Sequence, residues 1–234
     1  MQSATSVGRT MGLLLLAQAV AAPVVNFALL GPVTRPPGFL VNAAGRAPQL
    51  RAAALLSLLM GAITLAVAIV ALPVFRRHGE RLALWLVALA TVGCALHAVE
   101  GVGMLAMLAL SERHAQAGAA DAASYEALAA VVRALRNGAH YLALLVGGAG
   151  AASLYALLHR AALVPRALSA IGLAAALLQM VAVALPVLGA RMVFPLLAPL
   201  GVSHLVLMLW LLVRGLDERH RTPAVAAGVQ WAGG

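Results

Sequence analysis

Gly93-Cys94-Ala95-Leu96-His97-Ala98-Val99-Glu100-Gly101 lies at the centre of an apolar run from Leu82 to Leu110, and its reading decides the fold. At helical rise the run is long enough to cross a bilayer, which takes about 20 mostly apolar residues. Two ionisable side chains, His97 and Glu100, sit near its midpoint. A carboxylate in hydrocarbon is costly, so such groups turn toward a bundle interior and mark a pathway or a pocket.

The surrounding chain supports a membrane reading. Of its 234 residues 63% are hydrophobic and 10% charged, a balance that excludes an ordinary soluble domain. The expected fold class is all-α, a polytopic transmembrane bundle of six helices with an amphipathic segment before the fourth span. The lipid bilayer is therefore the first partner, and nucleic acid is a poor explanation of the +9 charge. All 16 basic residues are Arg, and they cluster at the ends of apolar runs, where they meet headgroups. Without Lys there is no retinal or pyridoxal Schiff base and no phosphate-loop lysine. The single Cys, Cys94, excludes an internal disulfide and any multi-cysteine metal site.

In chain order, an N-terminal tail (1–8) precedes a six-span domain (9–215) and a flexible C-terminal tail (216–234). The spans are expected at about 11–31, 52–74, 82–110, 138–158, 167–188 and 194–213. In the first, Ala19-Val20-Ala21 mimics a leader cleavage site, but apolar character continues to Leu30, so a full span is expected, kinked at Pro23. Gly31 to Arg51 carries Pro32, Pro36, Pro37, Gly38, Gly45 and Pro48 and reads as a loop. Ser57 and Thr64 can bond back to their own helix. Arg76-Arg77-His78-Gly79-Glu80-Arg81 forms a basic turn before the third span.

Beyond the polar stretch 111–124, Leu128, Val131, Val132 and Leu135 share one helical face, with Glu126, Arg133 and Arg136 on the other. This pattern predicts a surface helix or a projecting start of the fourth span, with Asp121 and Ser124 as candidate N-caps. Asn137-Gly138 offers a break before that span. Within it, Gly147 with Ala151 and Gly148 with Ala152 have the small-xxx-small spacing that lets another helix approach closely. The dense arginines at 76–81 and 160–166 lie on the same side as both termini, which the positive-inside rule assigns to the cytoplasm.

His140-Tyr141-Leu142, then Leu154-Tyr155-Ala156-Leu157-Leu158-His159-Arg160, then Val164-Pro165-Arg166-Ala167-Leu168 resemble domain-of-unknown-function family 4386, a group of bacterial six-span membrane proteins. Arg9-Thr10-Met11-Gly12-Leu13-Leu14 and Arg81-Leu82-Ala83-Leu84 leading to Ala98-Val99-Glu100 fit the same pattern. The resemblance covers roughly 9–215 and implies a fold and a topology without an activity. It also implies that an Arg commonly stands where this chain has His97, so that His–Glu here replaces an intramembrane Arg–Glu pair.

The candidate pocket residues are His97, Glu100, His140, Tyr141, Gln179 and His204. His97 and Glu100 are three apart and share a face with Gly93, Gly101 and Met104. Gln179 and His204 fall at a similar depth, and His140 and Tyr141 enter from the non-cytoplasmic side. Three readings stay open. The polar groups pair to fix helix register; or they line a pocket for a small molecule or a proton, with Glu100 buried against His140 or His204; or His97, His140 or His204 holds haem or a transition metal in a redox protein. A hydrolase is disfavoured because Ser203 and His204 are adjacent and project from different faces of one helix. No cofactor is specified, and a homo-oligomer or a partner membrane subunit fits equally well.

Overall fold

The computed structural model describes residues 3–117 and 121–217, which form helices and short connections with no strand among them. The expected tail 216–234 lies outside the described residues apart from its first two. Helix α1 (Ala4–Pro23) starts at Ser3, whose Oγ accepts from the Ser6 amide at 3.2 Å. Pro23 has no N–H to donate, and the chain widens into a π-helical turn at Val24–Leu29, where the Asn26 amide donates to the Ala22 carbonyl.

The proline-rich segment is more ordered than an irregular loop. It holds two one-turn helices, α2 (Gly31–Thr34) and α3 (Phe39–Asn42), and a 3-10 turn at Ala44–Arg46. Helix α4 (Ala47–Gln116) starts before Pro48 rather than after it, because a proline in the first helical turn gives up an N–H that has no intrahelical partner anyway. Ser111, fully buried, ties this segment down by donating to the Leu40 carbonyl at 2.8 Å and accepting from the Ala44 amide at 2.9 Å.

Helix α4 is a hairpin. Gly79 leaves helical geometry (φ 172°, ψ 83°) and divides the 70 residues into limbs 47–78 and 80–116. Gly61 meets Cys94 and His97, Gly101 meets Ala54, and Arg51 faces Glu112 at 3.8 Å, so positions rising along one limb meet positions falling along the other. Helix α5 (Ala122–Ala161) is continuous through Asn137-Gly138, with Asp121 at its N-cap position. Helices α6 (Arg166–Val187) and α7 (Ala198–Arg214) complete the set.

Among the described residues, five helices are long and apolar enough to cross a membrane: α1 with its extension, α4, α5, α6, and α7 with the turn before it. Their outer faces carry Leu13, Phe27, Leu55, Val131, Ile171 and Val213, as a lipid-facing surface should. The architecture is that of a multi-pass helical membrane protein.

Close backbone approaches hold the helices together. A Cβ on Gly12 would lie 3.1 Å from the backbone of Leu212, so Gly8 and Gly12, a small-xxx-small pair on α1, seat α7. Gly172 on α6 lies directly under the Tyr155 ring of α5, and Gly148 on α5 abuts Met180 of α6. Gly147 has open space around it, so of the two small-residue registers on α5 the Gly148 one makes the contact. Packing yields two apolar cores. One runs from Val7 and Met11 through Phe75, Leu86 and Leu157 to Leu211. The other joins Val25, Val33, Phe39, Leu50, Met104 and Met107.

Candidate functional site

Between these cores lies a polar layer centred on Glu100, which is 2% exposed. Its carboxylate accepts from three helical segments. Arg136 of α5 donates through Nη2 to Oε1 at 2.6 Å, and His140, one turn further along α5, places Nδ1 3.0 Å from the same oxygen. A carboxylate oxygen only accepts, so that imidazole nitrogen carries its proton. Ser57 of the first α4 limb donates to Oε2 at 3.3 Å, and His97 Nδ1 lies 3.4 Å from Oε2 and 3.3 Å from Ser57 Oγ. The Arg136 guanidinium also donates through Nη1 to Asn137 Oδ1 at 3.3 Å, while its buried Nε has no hydrogen-bond partner.

Glycines make room for this layer. A Cβ on Gly103 would lie 2.9 Å from Arg136 Cβ, and one on Gly61 would lie 2.9 Å from Cys94 Cα and 3.1 Å from His97 Cβ. Gly101 lets the Ala54 carbonyl approach in the same way. Each glycine lets a backbone come within reach of the polar side chains, a packing device of membrane helices.

The six residues singled out from sequence separate into two groups. His97, Glu100 and His140 come together, and the Tyr141 ring tilts against His140 with centroids 6.1 Å apart. His204 does not join them. Its Nδ1 lies 3.3 Å from the Tyr155 hydroxyl, with the rings edge to face at 5.4 Å. Along α5, Tyr155 stands about 22 Å from His140 at helical rise. Gln179 is half-buried on α6 beside Gly148. Gln18, a polar interruption of α1, instead donates to Thr64 Oγ1 at 2.9 Å.

Arg136 and Ser57 are the members that sequence reasoning missed. Arg136 shares a stretch with Leu128, Val131 and Leu135, and the pattern put those apolar residues on one face of a surface helix or projecting span start and Arg136 on the polar face. In the structure they are more than half exposed and Arg136 turns inward, with 13% of its side chain exposed. The apolar face is the exposed one and the cation is sheltered against Glu100, the reverse of the pattern expected of a helix on a water-soluble protein. Consequently an Arg–Glu pair is present after all, supplied from α5 rather than from the position of His97. The signal available was the i, i+4 spacing of Arg136 and His140, visible once α5 is taken as unbroken.

Beside the layer opens a cavity of about 500 Å³, walled by Leu30, Pro36, Pro37, Phe39 and Met107, with Thr34, Arg133, Arg136 and Asn137 as its polar residues. Arg133 lies over the Phe39 ring, 5.6 Å from its centroid. Among the described residues no three His, Cys, Asp or Glu side chains are arranged to hold a metal ion.

Residues 10–215 match the family described as a domain of unknown function, DUF4386. No curated protein and no solved structure matches the chain. With nearly the whole described bundle inside the match, the chain belongs to the DUF4386 family.

Proposed function

We propose that the chain is a bacterial inner-membrane protein that crosses the bilayer six times, with both termini in the cytoplasm and the two limbs of α4 as separate spans, and that it binds a small molecule beside Glu100. The observation that carries this reading is the convergence of Ser57, His97, Glu100, Arg136 and His140 next to a cavity to which Arg136 and Asn137 contribute. A largely apolar pocket with a few convergent polar groups is the usual form of a small-molecule site. Depth supports access from outside. About 31 Å of helix separates Gly79 from Glu100, roughly one hydrocarbon thickness. With the arginine turn at the cytoplasmic surface, the polar layer and its cavity then lie at the outer boundary. None of the six residues singled out from sequence lines the cavity itself: Glu100 adjoins it through Arg136, and Gln179 and His204 lie apart.

A second reading has its own support. Both Glu100 oxygens are already engaged, as expected of a buried pair that fixes helix register in a structural subunit. Thr34→Trp separates the two, since Thr34 is exposed at the cavity and makes no contact with Glu100. Native mass spectrometry of the protein released from its membrane should show a bound small molecule on the wild type and none on Thr34→Trp, at equal unfolding temperature. A wild type that carries nothing, and whose unfolding responds to no compound in a Thr34-dependent way, leaves the structural role.

A further inference from the structure

We infer that the cavity takes an anion, a phosphate or carboxylate group attached to an apolar body. This rests on the binding reading above. Two guanidinium groups line the cavity, and none of its lining residues is acidic. Arg136 has its counter-charge in Glu100. Arg133 has none: among the described residues its contact is with the face of Phe39, and no carboxylate pairs with it. The arrangement thus holds one uncompensated cation at the cavity, next to a second whose charge is shared.

The rest of the lining sets the shape of the ligand. Guanidinium forks match the paired oxygens of carboxylate and phosphate. Asn137 accepts from Arg136 through Oδ1, which leaves its NH₂ group to donate to the same anion. Leu30, Pro36, Pro37, Phe39 and Met107 offer no hydrogen bonds from their side chains, so the body behind the anionic group is apolar. Either a soluble amphiphilic acid or the headgroup of an anionic phospholipid carries this chemistry.

Thermal unfolding of the purified full chain in a neutral detergent and a chloride-free zwitterionic buffer tests the inference. The probes are inorganic phosphate, hexanoate and hexylammonium, together with nanodiscs of phosphatidylglycerol or of phosphatidylcholine. A saturable stabilisation by phosphate or hexanoate identifies a soluble anion, and stabilisation by phosphatidylglycerol alone identifies a lipid headgroup. In either case hexylammonium and phosphatidylcholine have no effect. Arg133→Gln, at an exposed position, should weaken the anion response by about tenfold or more, the scale of one lost charge-assisted hydrogen bond. Equal stabilisation by hexylammonium, or an anion response unchanged in Arg133→Gln, overturns the anion assignment. If Thr34→Trp still abolishes that response, the pocket itself stands. A co-purified molecule without phosphate or carboxylate overturns the anion assignment in the same way. Silence of every probe on a wild type that carries no molecule overturns the pocket as well.

Discussion

Arg136 and Glu100 form a buried ion pair between α5 and the second limb of α4, with 13% and 3% of their side chains exposed. Removing one member leaves the other charged and uncompensated, a loss of about 3–5 kcal/mol in buried pairs, whereas replacing both by neutral groups is often tolerated. Glu100→Gln and Arg136→Met are each expected to lower the unfolding temperature markedly in detergent. The double variant should recover most of that loss. Additive losses in this double-mutant cycle would show that the two side chains do not act as a pair.

Gly148 provides a test of helix packing with an internal control one residue away. A Cβ there would lie 2.7 Å from Met180 Cγ, while nothing stands within 4 Å of one on Gly147. Gly148→Leu should therefore destabilise by about 1–3 kcal/mol through overpacking. Gly147→Leu should be neutral or slightly stabilising, because leucine is the better helix former. Similar melting temperatures for the two variants would move the α5–α6 contact to another register.

Ser111 is expected to govern how firmly the proline-rich segment closes the cavity. Its hydroxyl serves both the Leu40 carbonyl, within the α3 turn that presents Phe39, and the Ala44 amide just after it. Ser111→Ala leaves those two backbone groups without their partner, at a cost of about 1–3 kcal/mol. Hydrogen exchange should then quicken at 39–46 while α6 and α7 keep their protection. Unchanged exchange at 39–46 would mean that the segment is held by its apolar contacts alone.

How much of this was legible depends on which physical rule each residue obeys. Apolar runs of bilayer length announce the helices without any tertiary information, and the three-residue spacing of His97 and Glu100 puts them on one face. The partners were harder to see. Asn137-Gly138 reads as a break, yet α5 runs through it, because packing against neighbouring helices outweighs a local propensity cost of about 1 kcal/mol. That break hid the alignment of Arg136 with His140. Ser57 stayed invisible for another reason: a helical serine can bond its own backbone or a neighbour, and only the approach of the second α4 limb decides which. His204 shows the converse. A polar residue in mid-span announces a partner but not its identity, and here the partner is Tyr155.

The turn at Gly79 carries the last prediction, which concerns how often the chain crosses the membrane. Helix α4 is 70 residues long, about 105 Å if straight at helical rise, far more than a bilayer of roughly 30 Å hydrocarbon thickness requires. Folded at Gly79, its limbs run antiparallel, as the Gly61–Cys94 and Gly101–Ala54 approaches require. The turn itself is polar: Arg76 pairs with Glu80 at 2.5 Å, both half-exposed, beside Arg77 and Arg81. A two-crossing hairpin places residues 79 and 117 at opposite ends of one limb. Reporters active only in the periplasm, fused after Gly79, Ala117, Ala162 and Asp217, should therefore read off, on, off and off. The first two values test the hairpin and the last two test the orientation. Equal signals after Gly79 and Ala117 would rule out a separate crossing by the second limb, and a fully inverted pattern would keep six spans while reversing the sides, moving the Arg133 and Arg136 cavity to the cytoplasmic face.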